Sequence, residues 1–397
     1  MSDLQPSNAA SFTIVEITAP SLQKAVMKRM KRFVPFALSL FVYTAKRVWA
    51  AVPGEPVLDP AGPEPGSAES SNVDVDSVCG VLTGKTFPMS KNRRAGILSW
   101  AAVDPAARGQ GLGRALYERA VHDLTAEGAE DLFGCIEGLN PASYRLLQSE
   151  GFVRMSFTRQ LRRYGVIGLL RVWFGTVHIP DVGHFLWVRR ADGEPLPERH
   201  SSEPSQAAAW FGNLLASVVL LLATFWRWNP SELPGWEAVV VAAATLLLLY
   251  GTRELAMRAV AARLRLPVRF RAWESGYNLS IAIALLFGGV FPVPGNLYPA
   301  DEARPGSNPA RTLGPVAAAG AVAILMLTGA AEYLKPLSSG LPASILAMTA
   351  FLGKTVALFD IVFAFFPFVA YNGCRIWAWN RLAWGVFAAT TLALFFV

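Results

Sequence analysis

The chain is poor in the residues on which most metal, redox and extracellular chemistry depends. It has 3 cysteines and 4 histidines in 397 residues, and only 16% of its residues are charged. Cys79, Cys135 and Cys374 are scattered, with no CxxC spacing. That pattern excludes a disulfide framework and a zinc knuckle, and makes a reducing compartment the simplest host. The first residues, MSDLQPSNAASFTIVEI, lack a basic stretch followed by an apolar core. No cleavable signal peptide is expected, so whatever precedes the first membrane span should stay in the cytoplasm.

What is abundant is apolar. Hydrophobic residues make up 53% of the chain, a composition of membrane proteins, and the length suggests two or three domains. The net charge of +7 needs no nucleic acid to explain it, because Lys and Arg accumulate on the cytoplasmic side of membrane proteins for topological reasons. No nucleic-acid partner is expected.

The chain falls into two halves. Residues 1–190 mix strand and amphipathic helix patterns and hold most of the acidic residues. Within them, the Pro- and Ser-rich stretch 52–77 reads as a flexible insert. A polar linker, 191–206, leads into the apolar segment 207–397. That segment holds six candidate spans: Ala207–Trp226, Glu237–Thr252, Gly276–Phe291, Gly314–Ala331, Leu341–Ala370 and Leu382–Val397. Arg253, Arg258, Arg263, Arg265, Arg269 and Arg271 crowd the connection after the second span, which places that connection, and with six spans both termini, in the cytoplasm. Two further apolar stretches, Arg32–Val52 and Gly165–Ile179, carry basic residues and Trp. Each reads either as an amphipathic or core element of the soluble domain or as an element lying in the membrane interface.

The chemistry concentrates in AGILSWAAVDPAARGQGLGRALYERAVHDL, Ala95 to Leu124. A short apolar strand ends at Asp104–Pro105, and Leu112, Ala115, Leu116, Ala120, Val121 and Leu124 then recur at helical spacing. A strand feeding a glycine-rich turn that opens a helix makes an anion site, because unpaired N–H groups and the helix dipole face an incoming phosphate. Gly109, Gly111 and Gly113 let backbone approach closely. Arg114 stands where a dinucleotide fingerprint needs its third glycine, and no Gly-Lys-Ser/Thr follows for a P-loop.

This segment resembles the acetyl-CoA-binding motif of the GNAT acetyltransferases, Arg/Gln-x-x-Gly-x-Gly/Ala, with Arg108, Gly111 and Gly113 in the motif positions. Downstream, DLFGCIEGLNPASYRLLQSEGFVRMSF is similar to the second half of that family: a strand, a helix opened by Asn140 and bearing Tyr144, then Gly151-Phe152. The resemblance implies an α/β domain, a mixed and mostly antiparallel sheet flanked by helices. It implies acetyl-CoA as co-substrate, its pyrophosphate held by backbone of Arg108, Gly109, Gln110, Gly111, Leu112 and Gly113. Backbone of Ala101, Ala102 and Val103 would bind the pantetheine arm, and Asn140 would contact the cofactor. Tyr144 would protonate the departing thiolate, and Glu137 would be the base for direct attack by an amine. Read from the residues alone, Tyr144 also fits an ordinary core tyrosine and Glu137 a solvated charge at a strand end. His122 and Cys135 read as structural.

The second half is expected to be an all-α polytopic membrane domain. RELAMRAVAARLRLPVR, Arg253 to Arg269, resembles the zinc-ligand helix of site-2-protease-type intramembrane metalloproteases, and GVFPVPGNLYP, LGPVAAAG and FAFFPFVAYNGCRIWAWN resemble other pieces of that family in order. Aligned so, the metal-binding histidines become Arg253 and Met257 and the aspartate becomes Asn372. Only Glu254, the base position, survives. A guanidinium repels zinc, and all four histidines lie outside this half, so no metal is expected. The polar remnant Arg253–Glu254 reads as a candidate ion pair.

Three functions follow as expectations. The first is an integral membrane acetyltransferase of an inner or cell membrane, acting on an amine-bearing small molecule or protein. The second is a non-catalytic sensor or scaffold that binds acetyl-CoA and grips a transmembrane peptide. The third is an intramembrane protease with unorthodox ligands, which metal analysis of the purified protein would test.

Overall fold

The computed structural model describes residues 12–33, 47–54, 73–178, 182–196, 205–228, 235–300, 308–365 and 368–396. Most of the expected insert 52–77, part of the linker 191–206 and residues 34–46 of the Arg32–Val52 stretch lie outside the described residues. The chain divides into two compact units. One comprises Met1–Cys135, Leu146–Thr176 and Leu186–Ser201, and the other Ile136–Arg145, Val177–Phe185 and Ser202–Val397.

The first unit is built on β1 (Phe12–Glu16), α1 (Pro20–Met30), β2 (Arg47–Pro53), β3 (Gly80–Pro88), β4 (Arg94–Val103), α2 (Leu112–Ala126), β5 (Ala129–Glu137), α3 (Pro141–Ser149), β6 (Val153–Arg154), α4 (Phe157–Thr176) and β7 (His184–Arg190). The last residues of β5, the first of α3 and the first of β7 fall in the second unit. The strands form one sheet in the order β1-β2-β3-β4-β5-β7-β6. β1 with β2, β2 with β3, β3 with β4 and β6 with β7 pair antiparallel, whereas β4 and β5 run parallel because α2 carries the chain back across the sheet. This is the expected mixed sheet with flanking helices. Residues 47–53 are a strand of it, with Ala50 and Ala51 fully buried, so that part of the Arg32–Val52 stretch is a core element.

One face of the sheet receives α1 through Val26, Met27 and Met30, which pack with Val15, Val48 and Val81. The other face receives α2 through Leu112, Leu116, Ala120 and Leu124, a buried stripe at helical spacing. Trp49 of β2, fully buried, donates its indole N–H to Asp123 Oδ2 at 2.8 Å and ties that helix to the sheet. Gly165 takes φ +64° and breaks α4. Beyond the break, Leu169, Val172 and Trp173 face inward, while Val166, Ile167, Leu170 and Phe174 are exposed.

The second unit contains α5 (Gln206–Trp228), α6 (Trp236–Arg263), β8 (Val268–Arg271), α7 (Glu274–Phe287), β9 (Asn296–Pro299), α8 (Gly314–Leu334), α9 (Gly340–Ala357), a π-helical turn (Leu358–Val362), α10 (Asn372–Trp379) and α11 (Arg381–Ala393). Among the described residues four helical segments are long and apolar enough to cross a membrane: Gln206–Trp228, Trp236–Arg263, Gly314–Leu337 and Gly340–Val362. Of the six expected spans, the first, second, fourth and fifth overlap these helices. The third candidate is a helix of only 14 residues, about 21 Å long against a hydrocarbon core of about 30 Å. The sixth is the shorter apolar helix Arg381–Phe396. The expectation of an all-α half is corrected, because β8 and β9 pair antiparallel, Val268 opposite Pro299 and Arg271 opposite Asn296.

Small residues set the packing here. A Cβ on Gly353 would collide with Thr328, and one on Gly320 would lie 2.9 Å from Met257. α8 therefore lies close against both α6 and α9, as small residues permit between apolar helices. Leu221, Leu246, Leu249, Ala321, Ile324 and Leu352 fill the core. Leu215, Val219, Leu255 and Phe351 remain exposed on the outside, where a bilayer would cover them.

Candidate functional site

In the first unit the glycine-rich turn follows β4 directly. Asp104 donates its N–H to Cys79 O at 2.8 Å, and its side chain accepts from Ala106 N at 2.9 Å. This capped turn aims the chain from the strand into α2. Gly109 and Gly111 take φ +80° and +82°, and a Cβ on either would meet nothing within 4 Å. Conformation rather than crowding therefore demands glycine here. Gly111 is the N-cap of α2 and offers no side-chain oxygen, so the first-turn N–H groups remain available to an anion. Arg108, Gly109, Gln110 and Gly111 are exposed. Arg108 Nε donates to Val103 O at 3.3 Å, which holds the turn against the strand end.

β4 pairs with β3 as far as Val103, but its register with β5 covers only Arg94 to Leu98. Backbone at Ala101–Val103 is thereby left on the β5 side without a strand partner. That opening could accept the amides of a pantetheine arm. The structure brings Ala101, Ala102 and Val103 together with Arg108–Gly113 at one end of β4.

Glu137, Asn140 and Tyr144 belong to the second unit. Glu137 ends β5, half-buried, and Oε1 accepts from Leu139 N at 2.9 Å. Asn140 Oδ1 accepts from Ser143 N at 3.2 Å and so caps α3. Tyr144 is 4% exposed. Burial pushes the Glu137 carboxyl above its ordinary value of 4.5, against the opposing pull of His184, the Leu139 N–H and Arg375. If Glu137 is the base, activity needs its ionised form. kcat/KM should then rise with pH through a midpoint above 4.5, and Glu137→Gln should remove that limb of the pH profile.

The surroundings of Glu137 were not legible in the sequence. Gly138 donates its N–H to Gly183 O at 3.1 Å, and a Cβ at residue 138 would collide with the rings of Tyr298 and Phe185. His178 is fully buried, and burial pushes its imidazole down to about 3 with a further contribution from His184. His178 is therefore neutral at physiological pH. Tyr298 and Arg375 are more than 150 residues downstream of Glu137, and no local spacing signals their approach.

A second polar centre lies between the apolar helices. Arg253, 1% exposed, donates from Nε and Nη2 to the two oxygens of Asp360, 0% exposed, both at 2.9 Å. Its Nη1 reaches Gly295 O at 3.2 Å. Asn372 Nδ2 donates to Asp360 Oδ2 at 2.8 Å, and Asn296 Nδ2 donates to Asn372 Oδ1 at 3.1 Å. Met257 Sδ stands 3.7 Å from Asn372 Nδ2. The expected Arg253–Glu254 pair is corrected: Arg253 pairs with Asp360, and Glu254 accepts from Arg258 Nε at 2.7 Å. Residues 253, 257 and 372 do come together, but a guanidinium, a thioether and an amide form no donor set for zinc. No group of three or more His, Cys, Asp or Glu suited to a metal occurs among the described residues.

Residues 57–152 match the model of the Acetyltransferase (GNAT) family. The chain carries a GNAT acetyltransferase domain, and its enzyme class is that of an acetyltransferase. Solved structures similar to this part include a GNAT-family protein from Desulfovibrio desulfuricans, 16% identical, covering 46% of this chain and 99% of that one at a TM-score of 0.29. The IAA acetyltransferase from Bacillus cereus is also 16% identical, with 45% and 99% covered and a TM-score of 0.28. N-acetylglutamate synthase from Neisseria gonorrhoeae, solved with coenzyme A and N-acetyl-glutamate, is 14% identical, with 46% and 35% covered and a TM-score of 0.28. No curated protein matches the chain.

Proposed function

We propose that the protein is a membrane-anchored acetyltransferase that transfers the acetyl group of acetyl-CoA to an amine by direct attack. The observation that carries this reading is the turn Arg108–Gly113, with two glycines at positive φ and an uncapped helix N-terminus behind a strand whose end leaves its neighbour. Backbone N–H groups of the turn bind the pyrophosphate, and Ala101–Val103 bind the pantetheine arm. By resemblance to the family, Asn140 contacts the cofactor, Glu137 takes the amine's proton, and Tyr144 protonates the thiolate as it leaves. Four helices of membrane length support an integral membrane protein. An even number of spans and the arginine-rich end of α6 favour a cytoplasmic enzyme domain and termini.

Thiol release from acetyl-CoA, measured on the full-length protein in detergent across a panel of primary amines, tests this. Tyr144→Phe should lower kcat by roughly 100-fold and leave acetyl-CoA affinity unchanged. Undiminished turnover in the variant would remove Tyr144 from the mechanism.

The buried Arg253–Asp360 centre favours a second reading for the helical unit, a degenerate relative of an intramembrane protease that holds a transmembrane peptide without cleaving it. Photocrosslinking from α6 to a transmembrane peptide would support it, and labelling of lipid alone would not.

A further inference from the structure

The apolar stretch after Gly165 is a core element on one side only. The Trp173 indole N–H donates to Gln160 Oε1 at 2.8 Å and holds the second half of α4 back against the first, across the break at Gly165. At about 100° per residue, Leu169, Val172, Trp173 and Thr176 share one arc of the helix and are buried. Val166, Ile167, Leu170 and Phe174 share the neighbouring arc and are 45% to 69% exposed. A surface helix ordinarily turns polar residues outward. Here the outward face is an apolar stripe, and such a stripe marks a surface that something covers.

What borders the stripe is cationic. Arg171, one turn beyond Ile167, is exposed, and its Nη1 donates to Met89 O at 2.5 Å. A Cβ on Gly175 would collide with the Phe87 ring, so the helix packs directly on the end of the β3–β4 hairpin. That hairpin displays Lys91, Arg93 and Arg94 to solvent. The acids Glu130, Asp131 and Asp192 on this side are engaged by Arg93, Arg163 and Arg190, so Lys91, Arg94 and Arg171 leave the edge positive. An apolar stripe rimmed by cations is complementary to a bilayer surface that carries phosphate and net negative charge. The chain also supplies that surface. β7 ends at Arg190 and the first helix of membrane length begins at Gln206, a connection that spans at most ~50 Å and keeps a bilayer within reach.

We propose that the second half of α4 lies in the headgroup layer of an anionic bilayer, with Val166, Ile167, Leu170 and Phe174 in the acyl boundary and Lys91, Arg94 and Arg171 at the lipid phosphates. This rests on the membrane reading above and on no assignment of catalytic chemistry. β4 runs from the hairpin to the glycine turn, about 30 Å. The bilayer would hold the enzyme unit at one end of that strand and leave the acetyl-CoA turn open to dissolved cofactor at the other. The unit is thus held by its own surface as well as by the connection.

The test uses the full-length protein in vesicles of phosphatidylcholine with about one-third phosphatidylglycerol. Photoreactive benzoylphenylalanine replaces Phe174, or Ala106 beside the glycine turn, or Leu215 on the outside of α5, all three exposed. Irradiation and mass spectrometry should find lipid adducts from positions 174 and 215, with at least ~10-fold fewer from 106. Phosphatidylglycerol should be enriched at least ~2-fold over its bulk share among the adducts of 174, and Lys91→Glu should lower that enrichment. Lipid adducts from 215 with none from 174 would overturn the docking. So would adducts from 174 to another segment of the chain or to a second copy, phosphatidylglycerol at its bulk share, or an enrichment that Lys91→Glu leaves unchanged. Absence of lipid adducts from 215 as well would instead overturn the membrane reading on which the docking rests.

Discussion

Arg253→Met should destabilise the helical unit by about 3–5 kcal/mol, the usual cost of stranding one partner of a buried ion pair. The lost interaction is two parallel hydrogen bonds at 2.9 Å onto a carboxylate with no exposed surface. Asp360 would keep only the N–H groups of Asn372, in surroundings where ionised groups are expensive. The thermal midpoint of intrinsic tryptophan fluorescence in detergent should fall by many degrees. Arg253→Met with Asp360→Leu should recover much of the loss, because an apolar pair of similar volume escapes the stranded charge. A single variant as stable as the wild type would show that the pair contributes nothing.

How that pair escaped the sequence has a geometric reason. Arg253 and Glu254 are consecutive, and neighbours on a helix project about 100° apart, so they do not face each other. Glu254 instead meets Arg258, four residues on. The true partner of Arg253 is 107 residues away, on a π-helical turn that no periodicity marks. Residues 253, 257 and 372 do meet in space, around Asp360 and the Asn372 amide.

Two of the six expected spans are not among the helices of membrane length, for reasons of geometry rather than composition. The stretch Gly276–Phe291 is mostly apolar, yet Gly288 takes φ +62° and ends the helix early. The chain then runs into β9, whose pairing with β8 is non-local and invisible to a window of hydropathy. By contrast, the strand, turn and helix of residues 95–124 were legible in detail. There the alternation from apolar strand to glycine turn to helical period lies entirely in adjacent residues. Glu137 was half legible. Its place at a strand end followed from the pattern, whereas the burial that raises its carboxyl comes from residues distant in sequence.

Gly111→Trp should abolish acetyl-CoA binding, raising Kd by at least about 100-fold, or about 2.7 kcal/mol. Two effects combine. An L side chain is strained at φ +82°, and an indole would project from the N-cap toward the space a pyrophosphate needs. Because a Cβ here meets nothing within 4 Å, the fold should survive the substitution, and lost binding would report on the turn itself. Gly109→Ala, at φ +80° with equal room, should weaken binding more mildly, about 5- to 10-fold.

Calorimetric titration of acetyl-CoA into the full-length protein in detergent, wild type beside Gly111→Trp, tests the central claim most directly. The account predicts saturable one-to-one binding in the wild type and none in the variant, with the variant still unfolding cooperatively a few degrees below the wild type. A wild type that takes up no acetyl-CoA, or a variant that binds it equally well, would contradict it.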